Sequence, residues 1–283
     1  MRLIPNWQLL SAAYLVGCVS SHAPVAATPT LPQPVPVPIP SAVTSWTFTF
    51  APGSISYKVS RTAAIEEGAD SRREISTNST HESLTLQASA DTIAFTAVVD
   101  TFSTTTQGVT GSVQPVQLPV QLSGARVGDS LVISADSLTQ ACSPVTSALI
   151  TDLHNLLPRI PALLSTSMSW KDSTNSTACQ GSIPTRSRVL RSYHVMSESI
   201  YEGIRTLVVQ RTDTIQADGE GAQQQHRLTL SANGTGSATY YLNTTSGLIL
   251  HLSVGQDLDL SITASGKTSR FRQTSKQEFT LVH

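Results

Sequence analysis

Apolar residues recur at every second position along most of the chain. Tyr57, Val59, Ala63 and Ile65 alternate with Lys58, Ser60 and Thr62, and Ile93, Phe95, Ala97 and Val99 alternate with Thr92, Thr96 and Asp100. The same rhythm returns in Val189/Tyr193/Val195, Leu207/Val209, Leu228/Leu230, Tyr240/Leu242, Leu248/Leu250/Leu252 and Leu258/Leu260/Ile262. A period of two marks strands with one apolar and one polar face, and on the order of ten to twelve of them are predicted. The many Thr residues suit the polar faces. Asn233-Gly234, Ser246-Gly247 and Ser265-Gly266 supply turn chemistry between runs.

One segment breaks the rhythm. Ser143 and Pro144 read as an N-cap and a proline at the first helical position. Leu149, Leu153, Leu156, Leu157 and Ile160 then recur at helical spacing, with Thr146, Ser147, Thr151, Asp152 and Asn155 mostly opposite. Pro158 and Pro161 end the run. The predicted fold is therefore mainly β: one or two curved antiparallel sheets, or a half-barrel, with one amphipathic helix near residues 144–157 packed against it. The regions flanking the helix, about 42–140 and 180–283, are loosely alike, as a duplicated unit would be.

The first forty residues follow other rules. Residues 1–17 place Arg2 before an apolar stretch from Leu9 to Val16 and fit a secretory signal. The run Leu15-Val16-Gly17-Cys18 resembles a bacterial lipobox, which implies cleavage before Cys18 and lipid attachment to it. Val19 follows the cysteine where a retention signal would have Asp, which implies transport to the outer membrane. Residues 18–41 read as a linker carrying Pro24, Pro29, Pro32, Pro34, Pro36, Pro38 and Pro40. Alternating proline favours polyproline II at about 3.1 Å per residue, so twenty such residues span roughly 60 Å. On its pattern this stretch is expected to enter neither a ladder nor a helix. The globular domain then covers 42–283.

Composition narrows the function. The chain has 283 residues, 18 Lys+Arg and 19 Asp+Glu, for a formal charge of −1. That balance excludes a nucleic-acid binder driven by bulk charge. The 39% hydrophobic content argues against wholesale disorder. Cys142 and Cys179 remain once Cys18 is lipidated, and export permits a disulfide between them that would fasten the helix start to the next segment. Two isolated cysteines lack the paired spacing of a zinc site.

Catalytic patterns are incomplete. Gly128-Asp129-Ser130-Leu131 spells the signature of a lipolytic serine hydrolase family, yet a strand-like Val132-Ile133-Ser134 follows, and no histidine has Asp three residues before it. Ser265-Gly266-Lys267-Thr268 resembles the end of a phosphate loop, but Ser261 stands where the pattern requires Gly. His81, His154, His194, His226 and His251 are scattered singly, and no metal or cofactor is expected. Asp257 and Asp259 share one strand face and read as solvated.

The stretch Leu156-Leu157-Pro158-Arg159-Ile160-Pro161, followed by Ser169-Trp170-Lys171-Asp172, resembles uncharacterised β-rich lipoproteins of environmental bacteria. That family lends no activity. The strand–helix–strand layout also looks like lipoprotein carrier folds, in which a half-barrel covers a helix and holds acyl chains. The expectation is a non-catalytic, lipid-anchored protein of the bacterial cell envelope, at the outer membrane. It would be a binding or structural module, for an apolar ligand or an envelope protein. The rival expectation is a surface hydrolase assembled from distant residues, with Ser130 as its nucleophile.

Overall fold

A computed structural model describes residues 37–38, 45–48, 53–67, 72–88, 92–107, 117–127, 130–134, 142–180, 183–223 and 226–282. Among them, twelve strands form one antiparallel, strongly curved and nearly closed sheet around a single helix. In chain order the strands are β1 (Val37–Pro38), β2 (Ser45–Thr47), β3 (Gly53–Glu67), β4 (Arg72–Ala88), β5 (Thr92–Gln107), β6 (Val120–Val127) and β7 (Ser130–Ser134). The helix α1 (Pro144–Leu156) follows. Then come β8 (Leu163–Ser165), β9 (Ser169–Gln180), β10 (Ile183–Tyr201), β11 (Ile204–Gln223), β12 (His226–Asn243), β13 (Ile249–Ala264) and β14 (Lys267–Val282).

Spatial order runs β10-β11-β12-β13-β14-β3-β4-β5-β6-β7, with β1 and β9 both on the free side of β10. The last strand thus pairs with the first long one, Phe279 opposite Val59. Among the described residues no ladder joins β7 to β9 or β1. The remaining β2 and β8 form a small second sheet in which Trp46 faces Leu164, both buried.

The alternation reads directly onto the two faces. Inward positions of β3, β10, β11, β12, β13 and β14 build one core from Tyr57, Val59, Val195, Val209, Tyr240, Leu252 and Phe279. A second core joins the apolar stripe of α1 (Val145, Leu149, Leu153, Leu157) to Leu84, Phe95, Ala97, Val99 and Leu122. A third gathers Ile183, Leu228, Leu230, Ala232 and Leu260 at the far end of the long strands.

The helix starts as expected, with Ser143 in extended conformation before Pro144, although the Ser143 side chain makes no capping bond. It ends two residues before Pro158. Three expectations need correction. Asn233-Gly234 is not a turn: both residues lie inside the 18-residue β12, paired with Asp259 and Leu258. Gly234 faces inward where the sheet curls, and a Cβ there would lie 2.1 Å from the carbonyl oxygen of Asp257. The glycine permits close approach of backbones and not a reversal of the chain. Second, the proline-rich stretch does enter a ladder, since Val37–Pro38 pairs with Ile200 and Ser199. A proline is tolerated on an edge strand, where its missing N–H is not needed. Third, the face of α1 opposite the leucines is also buried: Thr146, Asp152 and Asn155 are out of solvent.

Candidate functional site

Why the polar side of α1 is buried follows from what the strands present to it. Arg61 on β3, Arg126 on β6, Arg191 on β10 and Arg211 on β11 all sit at inward positions and are all buried. Each aims a guanidinium N–H at an oxygen of residues 152–157. Arg61 Nη2 donates to Asp152 Oδ2. Arg211 Nη1 donates to Asn155 Oδ1 at 3.0 Å. Arg191 Nη1 donates to the carbonyl of His154 at 2.8 Å. Arg126 Nη2 donates to the carbonyl of Leu157. The last carbonyls of a helix have no partner within it and carry the negative end of its dipole. Guanidinium groups are matched to both needs, so the C-terminal turns of α1 are held by cations from four strands.

Carboxylates on the wall balance these cations. Arg191 makes a two-pronged pair with Asp172 on β9, Nε to Oδ1 and Nη2 to Oδ2, each 2.6 Å. Arg211 Nη2 donates to Asp213 Oδ2 at 2.8 Å. Arg61 also donates to Thr80 Oγ1 and to Glu82 Oε1, each at 2.9 Å. Asp152 is wholly buried and Glu82 nearly so. Burial raises the pKa of Glu82, an effect that Arg61, Thr80 and His81 only partly oppose. Burial, with the charges of Arg191 and Arg126, pushes His154 down to about 4, so its imidazole is neutral at pH 7. Glu82 Oε2, Asp152 Oδ1 and His154 Nδ1 have no hydrogen-bond partner among the described residues.

The two ends of α1 are fixed differently. Cys142, just before it, is joined to Cys179 of β9 as a disulfide with the Cα atoms 4.8 Å apart. Its last turns are held by the arginines. Aromatic rings continue the site: Trp170 stacks on Tyr193 with centroids 4.8 Å apart, and the Tyr240 hydroxyl donates to the carbonyl of Asn155 at 3.3 Å.

The residues singled out in the sequence fall elsewhere, His154 and the cysteine pair excepted. Cys18 and the signal lie outside the described residues. Ser130 is exposed and opens the strand β7, where the hydrolase pattern needs a helix, and no histidine is bonded to it among the described residues. His81 meets Asp100 at 3.0 Å, His194 meets Ser169 at 2.8 Å and His226 meets Ser265 at 2.8 Å, all on the surface. His251 packs on Tyr201 on the outer face, with Nε2 3.0 Å from Glu278. Ser265-Gly266 is the β13–β14 turn, with φ of 49° and 76°. Asp257 pairs with Arg272 on the outer face. No group of three or more His, Cys, Asp or Glu suited to a metal occurs among the described residues.

Three of the four arginines carried a legible signal. Arg61 shares the parity of Tyr57 and Val59, Arg191 that of Val189 and Tyr193, and Arg211 that of Leu207 and Val209. A charge at an apolar parity is a charge aimed at the core.

The outer face is unlike the inner one. Along β11 it presents Gln210, Thr212, Thr214, Gln216, Asp218 and Glu220, all exposed. A membrane-spanning barrel carries an apolar band there, and β11 presents none. No helix of the described residues is long and apolar enough to cross a membrane. A groove of about 560 Å³ over the outside of β12–β14, lined by Ser237, Gly255 and Lys276 among others, is shallow and open.

No family model matches the chain, and no curated protein matches it. Solved structures similar to it include OccK5 (OpdH) of Pseudomonas aeruginosa, at 6% identity and TM-score 0.28, covering 82% of this chain and 99% of that one. A mutant porin of Rh. blastica gives 8% identity and TM-score 0.25, over 81% of this chain and 100% of that one. An outer membrane channel from Pseudomonas putida gives 8% and 0.24, over 84% and 98%. Similarity this low carries no conclusion about fold or function.

Proposed function

We propose that the chain is an exported, lipid-anchored protein of the bacterial cell envelope, at the outer membrane. Its β-domain serves there as a non-catalytic binding module for an apolar ligand. The lipobox at Leu15–Cys18, the disulfide that needs an oxidising compartment, and the polar outer face of β11 support the address. The observation that carries the binding role is the concave face of the sheet. It is lined by apolar side chains and filled by a separate amphipathic element, α1, and not by side chains of the wall alone.

Two measurements test this reading. Cells fed an alkyne-bearing palmitate should label the wild-type chain in the outer-membrane fraction, and Cys18→Ala should abolish both the label and the fractionation. Equal labelling of the two forms would sink the anchor. Native mass spectrometry of the full chain, released from the membrane in a neutral detergent, should show extra mass that organic solvent removes as lipid. A bare mass in every preparation would sink the binding role.

A further inference from the structure

We infer that the seat of α1 is a binding site for a long-chain fatty acid, a carboxylate head on a hydrocarbon tail, taken up in exchange for the last turns of the helix. This deepens the binding-module reading and rests on it.

The helix is itself an amphiphile and shows what its seat recognises. On one side Asp152 places a carboxylate on the Arg61 fork, with Asn155 on Arg211 beside it. On the other, Leu149, Leu153 and Leu157 lie against Leu84, Phe95, Ala97 and Leu122. Whatever replaces α1 must satisfy both walls. The guanidinium groups need planar oxygen acceptors, which a carboxylate supplies in the geometry that an arginine fork matches. The leucine wall needs hydrocarbon. A neutral lipid would take away the second carboxylate that Asp152 supplies to Arg61 beside Glu82, and a small anion would leave the apolar wall bare.

A second observation separates this seat from a permanent core. Buried polar atoms in settled interiors are almost always paired. Here Glu82 Oε2, Asp152 Oδ1 and His154 Nδ1, all buried, have no hydrogen-bond partner among the described residues, and all lie where α1 meets the wall. With α1 in place, these three buried polar atoms of the seam are left unpaired. Among the described residues β7 and β9 are the sheet's edges with no ladder between them, and α1 packs against β5 and β6 on one side and β9 on the other.

The test uses the anchored full chain in isolated membranes and a long-chain fatty acid bearing a photoreactive diazirine on its chain. After irradiation, crosslinked peptides are located by mass spectrometry. The label is expected on β4–β6, in the wall that faces α1. Oleate should compete at least ten times better than oleyl alcohol, which differs only in its head. Asp152→Asn, which keeps the shape but removes the internal anion, should raise labelling several-fold. Competition by oleyl alcohol equal to that by oleate overturns the inference while leaving an apolar-ligand module standing. The absence of any interior label overturns both. Labelling unchanged in Asp152→Asn also overturns it. Should that variant fail to accumulate, the comparison of the two competitors on wild type decides alone.

Discussion

Arg61 on β3 and Asp152 on α1, 91 positions apart in the chain, form a buried ion pair inside the curved sheet, with Glu82 on the same guanidinium. The pair is a hub, because one cation serves two carboxylates that are both out of solvent. Removing one partner of a buried pair destabilises by about 3–5 kcal/mol, since the other charge is left uncompensated. Arg61→Met strands both Glu82 and Asp152 and belongs at the upper end of that range. Asp152→Asn leaves Arg61 with Glu82 and Thr80, and should cost about half as much. Urea unfolding of the two variants checks the order, and Asp152→Asn proving the more damaging would refute the hub.

His154 makes stability depend on pH. Its folded pKa, pushed down to about 4 by burial and by Arg191 and Arg126, lies below the ordinary value of 6.5. The unfolded chain therefore takes up a proton as pH falls through 6.5, while the folded chain does not until about 4. Stability is full above 6.5 and declines between those limits, by roughly 3 kcal/mol at 1.36 kcal/mol per unit. Glu82, raised by burial, works in the opposite direction, so the useful quantity is a difference between proteins. Between pH 7 and pH 4 the urea midpoint of His154→Gln should fall less than that of wild type. Parallel curves would show that His154 is not held neutral.

The antiparallel sheet and the helix were legible because each has a period, two or about 3.6, that survives in a single sequence. Parity also placed Val59, Val209 and Tyr240 on the inside correctly. What parity could not say is that Asn233-Gly234 sits mid-strand. An Asn-Gly pair suits a hairpin locally, and only the close approach of the β13 backbone, a tertiary feature, asks for a glycine there. The charged belt was missed for a related reason. Each of Arg61, Arg191 and Arg211 interrupts an apolar run on its own strand, and its acceptor lies on a helix far away in the chain. The pairing of Val37–Pro38 with β10 was hidden because proline is judged by its missing donor, which an edge position does not require.

The disulfide should act mainly on the helix end of the domain. Cys142 and Cys179 close a loop of 37 residues that contains all of α1. In the chain-entropy account a loop of that length contributes about 3–4 kcal/mol. The double variant Cys142→Ser/Cys179→Ser should unfold at lower denaturant by that amount. Hydrogen exchange should also quicken first in α1, while the β11–β12 ladder keeps its protection. Exchange that quickens evenly across the domain would argue against a local tether.

Two glycines on neighbouring strands separate curvature from mere smallness. Gly234 faces the interior, where a Cβ would lie 2.1 Å from the Asp257 carbonyl oxygen and 2.6 Å from Leu258 Cδ2. The first contact is with backbone, so relief requires β12 and β13 to part there. Gly255 points outward, and the nearest atom to an added Cβ is Ser237 Oγ at 3.8 Å. Gly234→Ala should therefore destabilise by about 2 kcal/mol or more, as overpacking of a backbone contact does. Gly255→Ala meets nothing in the fold and narrows the freedom of the unfolded chain, so it should be neutral or stabilise by up to about 1 kcal/mol. Thermal melts of the two variants decide the matter. If Gly234→Ala melts with wild type, the close approach of β12 and β13 at that position is wrong.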